Sequence, residues 1–205
     1  DDVFQTSLLT GIGIAYRTDL VSTPPTSYQD LLKPEYGDGQ MGIANSEFAS
    51  IADMYAWMQD KFGPDYLPQL AAQKPRVYAS AVPTQEALLA GEISVDAFAS
   101  SVGIAAAKAK GAPVEFVLPT PAWAPLNLTY MLSWSKRPAA AQVLYDFMAS
   151  PAGQEALGKG NISVLPNIPG TIGSASDVTA ANLDRMTQPG WIEEFYPQWQ
   201  QTFGR

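Results

Sequence analysis

The chain has 205 residues, 46% hydrophobic and 16% charged, enough to bury a real core and nothing like a disordered composition. Its net charge of -8 at pH 7 excludes the basic footprint of a non-specific nucleic-acid binder and reads as a solubilising acidic surface. Cysteine and histidine are both absent, which excludes disulfides, Ser–His and Cys–His catalysis within the chain and the commonest zinc sites. Carboxylate chemistry and oxygen-ligated metals stay open. No apolar run approaches the roughly 20 residues of a membrane helix. Asp1-Asp2 has the wrong charge for a signal-peptide start, so the expectation is a removed leader or a fragment.

In chain order, TGIGIAY at 10–16 reads as a strand, and Pro24-Pro25 marks a break after it. A short helix is expected from Thr26, with Thr26 and Gln29 at capping-box spacing, ending at Pro34. Residues 40–44 form a short strand, and Asn45-Ser46 offers an N-cap to the next helix. There Phe48, Ile51, Tyr55, Met58 and Phe62 recur at steps of three and four, until Gly63-Pro64 ends the pattern. A short helix at 65–73, a strand at 76–80 and a helix from about Pro83 to Gly91 come next. Residues 93–99 alternate as a strand, 102–110 are an alanine-rich helix with lysines in its last turn, and 114–118 are another strand. Strands alternating with helices predict an α/β layer with a largely parallel sheet.

The rhythm changes after 118. Pro119, Pro121 and Pro125 bracket Trp123, and 128–134 is strand-like. Helices come next at 139–149 and 151–159, the first with an apolar stripe of Ala140, Val143, Leu144, Phe147 and Met148 expected to be buried. Residues 160–176 read as loop. Trp191, Phe195, Trp199 and Phe203, at steps of four, predict a closing helix with an aromatic face.

The order of these motifs resembles the type 2 periplasmic solute-binding proteins of ABC transporters, in the branch related to ferric-iron, polyamine and small-anion binders. GIAYRTDLV from Gly13 is similar to the segment crossing the hinge into the second lobe, and SYQDLLKPEY from Ser27 to a helix early in that lobe. RVYAS from Arg76 and ALLAGEISVDAFASS from Ala87 resemble the next strand–loop elements. RPAAAQVLYDFMASPAGQEAL from Arg137 is the most specific match, and WIEEFYPQWQQTFGR resembles the closing helix.

The resemblance implies an α/β fold of periplasmic-binding-protein type 2, with one complete lobe and part of another. Residues 1–17 would be the end of lobe one and the hinge crossing, 18–118 lobe two, and 119–205 the return hinge and the C-terminal part of lobe one. It further implies roughly a hundred residues ahead of the hinge segment, since two lobes of ordinary size exceed this length. That N-terminal segment of lobe one would itself be a partner of the chain. An ABC permease in the membrane would be the other, at a periplasmic or extracellular location, with a membrane anchor through the missing N-terminus as an option.

In such an architecture a small solute lies against strand ends and the helix starts beyond them, where free amides and the helix dipole favour anions. The candidates are Asn45 and Ser46, the loop with Ser80, Val82 and Thr84, and Ser100-Ser101. Each has a plain alternative as a cap or turn residue. Trp123 would wall the cleft or pack in the hinge. Tyr16 and Tyr130 carry the same ambiguity, with core favoured for Tyr130. Iron-binding relatives use two adjacent tyrosines where this chain reads Ala99-Ser100-Ser101-Val102, which argues against that mode of ferric binding. Small hydroxyl groups there suit phosphate, phosphonate, sulfonate or carboxylate oxygens. No metal ligands, cofactor or catalytic residues are assigned. The alternatives are ferric binding by another mode, a sensory protein docking on a receptor, and an enzyme on the same fold using Asp96 and Glu92.

Overall fold

The computed structural model describes residues 4–204. In chain order these form β1 (Phe4–Leu9), β2 (Ile12–Arg17), β3 (Met41–Ala44), α1 (Ala49–Phe62), α2 (Tyr66–Ala72), β4 (Arg76–Tyr78), α3 (Ala81–Ala90), β5 (Val95–Ser100) and α4 (Ser101–Ala109). Then come β6 (Val114–Val117), β7 (Ala122–Ala124), β8 (Leu126–Tyr130), α5 (Pro138–Ala149), α6 (Pro151–Gly158), β9 (Ile162–Ser163), β10 (Gly173–Ser174), β11 (Val178–Ala180), α7 (Leu183–Thr187) and α8 (Trp191–Phe203). Two units result. The larger holds Ile12–Trp123 and residues 181–204, the smaller residues 4–11 and Ala124–Ala180.

The larger unit is built on a five-stranded sheet of order β4-β3-β5-β2-β6. Its strands are short and apolar: β3 buries all four residues, and Ile14 and Ala15 of β2 are fully enclosed. Strands buried on both faces lose the alternation of a half-exposed sheet. Ile14, Met41, Ile43, Val95 and Ala97 pack with α1, α2 and α8 on one side, and Ala15, Ala99, Leu88 and Ile104 form a second cluster with α3 and α4. β3 runs parallel to β4 and β5, but β2 is antiparallel to both β5 and β6. The expected largely parallel sheet is therefore mixed, because hydrophobic pattern marks a strand without encoding its direction.

Local chemistry shifts two expected helix starts. Near residue 26 the capping box is Ser27 with Asp30, one residue beyond the Thr26–Gln29 spacing, and it opens a 3-10 turn over Tyr28–Leu32. Asp30 accepts from the Thr26 and Ser27 amides and pairs with Lys33, which holds its carboxyl far below the usual range. The N-cap of α1 is Phe48, not Ser46, and its side chain makes no capping bond.

α1 buries an unbroken run from Ile51 to Met58 and so serves the core on more than one face. Tyr55 sits among Phe98, Trp199 and Phe203, with ring centroids 5.5 Å from Trp199 and 6.1 Å from Phe203. The aromatic face expected of the closing helix therefore exists, but it packs on α1 in the larger unit. Residues 181–204 belong to the larger unit, where the aromatic stripe of α8 finds its complement on α1 and α2.

The smaller unit has a four-stranded sheet of order β10-β9-β1-β8. β1 was not expected from the sequence, and β9 and β10 lie within 160–176, read as loop. The SPAGQ run at 150–154 has a clear physical role. Ser150 caps α6 by accepting from the Gly153 amide at 3.1 Å. A Cβ on Gly153 would stand 1.9 Å from the Phe147 carbonyl oxygen, so the joint between α5 and α6 closes only on glycine. Gln154, fully buried, donates to the carbonyls of Ser7 (2.6 Å) and Met148 (2.8 Å) and accepts from Ser163 Oγ and the Val164 amide (both 2.9 Å). One side chain thereby ties β1, α5 and β9 together.

The stripe on α5 departs from expectation: no residue of this helix is buried, and Val143, Leu144 and Phe147 are exposed.

Candidate functional site

β3, β4 and β5 run parallel, so their carboxyl ends lie at one edge of the larger unit's sheet. Ile12, at the start of antiparallel β2, pairs with Ser100 at that same edge. The sheet thus gathers the Asn45-Ser46 step after β3, Ser80 after β4 and Ser100-Ser101 at the end of β5, with α1, α3 and α4 starting nearby. Parallel strand ends leading into helix starts are where α/β folds bind ligands.

The side chains there divide by how their polar groups are satisfied. Ser46 is 0% exposed, and its Oγ has no hydrogen-bond partner. Asn45 donates Nδ2 to the hydroxyl of Tyr196 on α8 (3.4 Å) and its backbone amide to the Tyr78 carbonyl (2.8 Å), but its Oδ1 is buried without a partner. Two adjacent residues therefore hold an orphaned acceptor and an orphaned hydroxyl, where buried polar groups are ordinarily paired. Tyr196 was not singled out in the sequence. The signal was its step of three before Trp199, which puts it on the packed face of α8, stacked 6.5 Å from that ring.

Ser80 and Ser100 occupy the N-cap positions of α3 and α4, and neither side chain makes the capping bond. Ser101 is buried at the start of α4.

Thr84 is fully buried, its hydroxyl donates to the Ser80 carbonyl (2.8 Å), and its methyl stands 2.8 Å from where a Cβ on Gly42 would be. It is a packing residue that requires glycine at 42. Val82 projects into solvent on the first turn of α3. Tyr16 is half-buried against the core of the larger unit.

Trp123 is 1% exposed and takes the packed alternative. Its Nε1 donates to Asp53 Oδ2 (2.9 Å), which also accepts from the Asn182 amide (3.0 Å), while Arg185 Nη1 lies 3.4 Å from Asp53 Oδ1. This buried staple joins α1, β7 and α7, and Asp53 was hidden from sequence reading inside an otherwise apolar helix. Tyr130, for which core was favoured, is 66% exposed in the smaller unit.

Asp96 and Glu92 do not form an acid–base pair: Asp96 is buried in β5, whereas Glu92 is exposed ahead of the strand. Burial pushes the Asp96 carboxyl up to about 7, opposed by the Phe98 amide that donates to Oδ1 at 2.9 Å. Among the described residues no group of three or more carboxylates stands together as a metal site, and no helix is long and apolar enough to cross a membrane.

The family model for bacterial extracellular solute-binding proteins matches residues 5–160. Comparison with curated protein sequences gives no match. Among solved structures, the substrate-binding protein of an ABC transporter from Agrobacterium tumefaciens is similar at TM-score 0.71 and 13% identity, over 100% of this chain and 66% of that one. AfuA from Actinobacillus pleuropneumoniae, a periplasmic binding protein with exogenous fructose-6-phosphate bound, is similar at TM-score 0.61 and 19% identity, over 98% and 68%. Iron-bound HitA from Pseudomonas aeruginosa gives TM-score 0.62 and 17% identity, over 97% and 69%. The chain spans 66% of the first protein's length, just under two thirds. The fold is a partial type 2 periplasmic-binding-protein fold, and the chain belongs to the bacterial extracellular solute-binding proteins.

Proposed function

We propose that this chain carries the solute-gripping edge of an ABC importer's binding protein, and that its solute is a small, oxygen-rich anion. The observation that carries this reading is the pair of orphaned buried groups at Asn45 and Ser46, beside helix starts whose serines do not cap them. The Ser46 hydroxyl donates to phosphate or carboxylate oxygens, and the helix dipoles favour their charge without a formal cation. The Asn45 acceptor would take a hydroxyl hydrogen from the same solute. The larger unit corresponds to one lobe and the smaller to part of the other, and the bound solute would be presented to the permease of the importer. The similarity to AfuA agrees with a phosphate-bearing solute, that protein having fructose-6-phosphate bound.

The test is a thermal-shift and calorimetry panel of inorganic phosphate, fructose-6-phosphate, a sulfonate, a dicarboxylate and Fe(III) on the gene's full product. At least one oxyanion raises the midpoint, and Ser46→Ala weakens its binding by about tenfold, the worth of one hydrogen bond of about 1.4 kcal/mol. A shift with Fe(III) alone would sink the reading.

A further inference from the structure

The helix starts at the strand ends of the larger unit carry exposed apolar side chains. Phe48 is the N-cap of α1 and 58% exposed, Val82 lies in the first turn of α3 at 67%, and Val102 in the first turn of α4 at 43%. Among the described residues, Leu20 is that unit's only other exposed large hydrophobic, so three of the four stand at this one edge. α3 and α4 meet there. A Cβ on Gly103, next to Val102, would lie 2.3 Å from the Oε1 of Gln85, three residues on from Val82. Folding does not call for these side chains. An N-cap favours Ser, Thr, Asp or Asn and a first turn favours acidic residues, yet none of the three helices has an acidic residue in its first turn. Exposed apolar side chains gathered beside polar groups mark a binding surface.

We propose, resting on the reading that Asn45 and Ser46 hold an oxyanion, that the solute carries this oxyanion on an apolar body, an aryl or short alkyl group, and that Phe48, Val82 and Val102 bind that body. Ser46 is fully buried with its hydroxyl unpartnered, two residues before Phe48, so the polar and apolar groups adjoin. Residues 45–52, 79–85 and 99–104 contain no lysine or arginine, and Glu47 is exposed between Ser46 and Phe48. A multiply charged anion finds no formal cation among them, whereas an apolar body gains affinity by leaving water. A polyhydroxylated body would lose the water bonded to its hydroxyls against these side chains and gain no hydrogen bond from them.

The test measures, by calorimetry on the gene's full product, phenylphosphonate against methylphosphonate, benzenesulfonate against methanesulfonate, and neutral benzyl alcohol. In at least one pair the phenyl member is expected to bind about tenfold more tightly than the methyl member, the worth of about two buried methylenes. V82S together with V102S should cut that ratio to about threefold or less, and their exposed positions leave the core untouched. Ser46→Ala should weaken both members alike and keep the ratio. A ratio near one in both pairs, or no binding of either pair, overturns the inference, as does a ratio that V82S with V102S leaves unchanged. If the ratio is near one while Ser46→Ala still weakens both members, the apolar body falls and the oxyanion reading stands. If benzyl alcohol binds as tightly as the phenyl anions, the oxyanion reading falls, and the present inference with it.

Discussion

α1 and α5 carry nearly the same apolar rhythm, and the structure uses them in opposite ways. α1 buries eight consecutive residues, from Ile51 to Met58, between the larger unit's sheet and α8. α5 has a comparable stripe and buries none of it. The difference lies in the partners. An apolar stripe states which face must be covered, and only the arrangement of other segments states whether it is.

The largest effect that sharpens this contrast comes from emptying the aromatic nest on α1. Tyr55→Ala removes contacts with Phe98, Trp199 and Phe203 and the 2.5 Å bond to the Ala44 carbonyl, and should cost about 3–5 kcal/mol in denaturant unfolding. A loss below about 1 kcal/mol would mean that α8 does not depend on α1.

Next comes the buried carboxyl in the same core. Asp96 holds its proton up to about pH 7, whereas an unfolded aspartate releases it near pH 4. Between those values the folded state binds more protons, so rising pH favours unfolding. The contribution of Asp96 to stability should be greatest below about pH 4, fall through the window to about pH 7 by as much as about 4 kcal/mol, and level off above it. Asp96→Asn should flatten that slope, which a urea-denaturation series across pH would read directly.

A smaller effect is expected at the joint after α5. Ser150→Ala removes the cap of α6 and should lower stability by about 1 kcal/mol, while Ser150→Asp keeps it. Equal midpoints for the two variants would contradict the capping role.

Smallest of all is the change on α5 itself. In the 205-residue chain Val143→Ala should move stability by no more than about 0.5 kcal/mol, since the side chain buries nothing. In a longer gene product that covers the face, the same change should cost more, up to about the 0.8 kcal/mol per methylene of a buried site.

The sequence by itself determined most element positions, because they rest on local rules. The α1 and α8 periodicities, Gly63, Gly91 and Gly111 with positive φ at the ends of elements, and the prolines opening α5 and α6 are all readable along the chain. It also placed Asn45, Ser46, Ser80, Ser100 and Ser101 at the ends of strands, through alternating strand and helix.

The features it did not show depended on neighbours far along the chain. Ser46 looked like a cap, yet the helix starts at Ala49 and leaves its hydroxyl enclosed and unpaired. Trp123 had two readings until Asp53, seventy positions away, took its indole hydrogen. Tyr196 meets Asn45 across 151 positions. The direction of β2, the return of α8 to the larger unit and the bare stripe of α5 were likewise settled by tertiary contacts, because periodicity gives the face of an element and burial depends on what lies opposite.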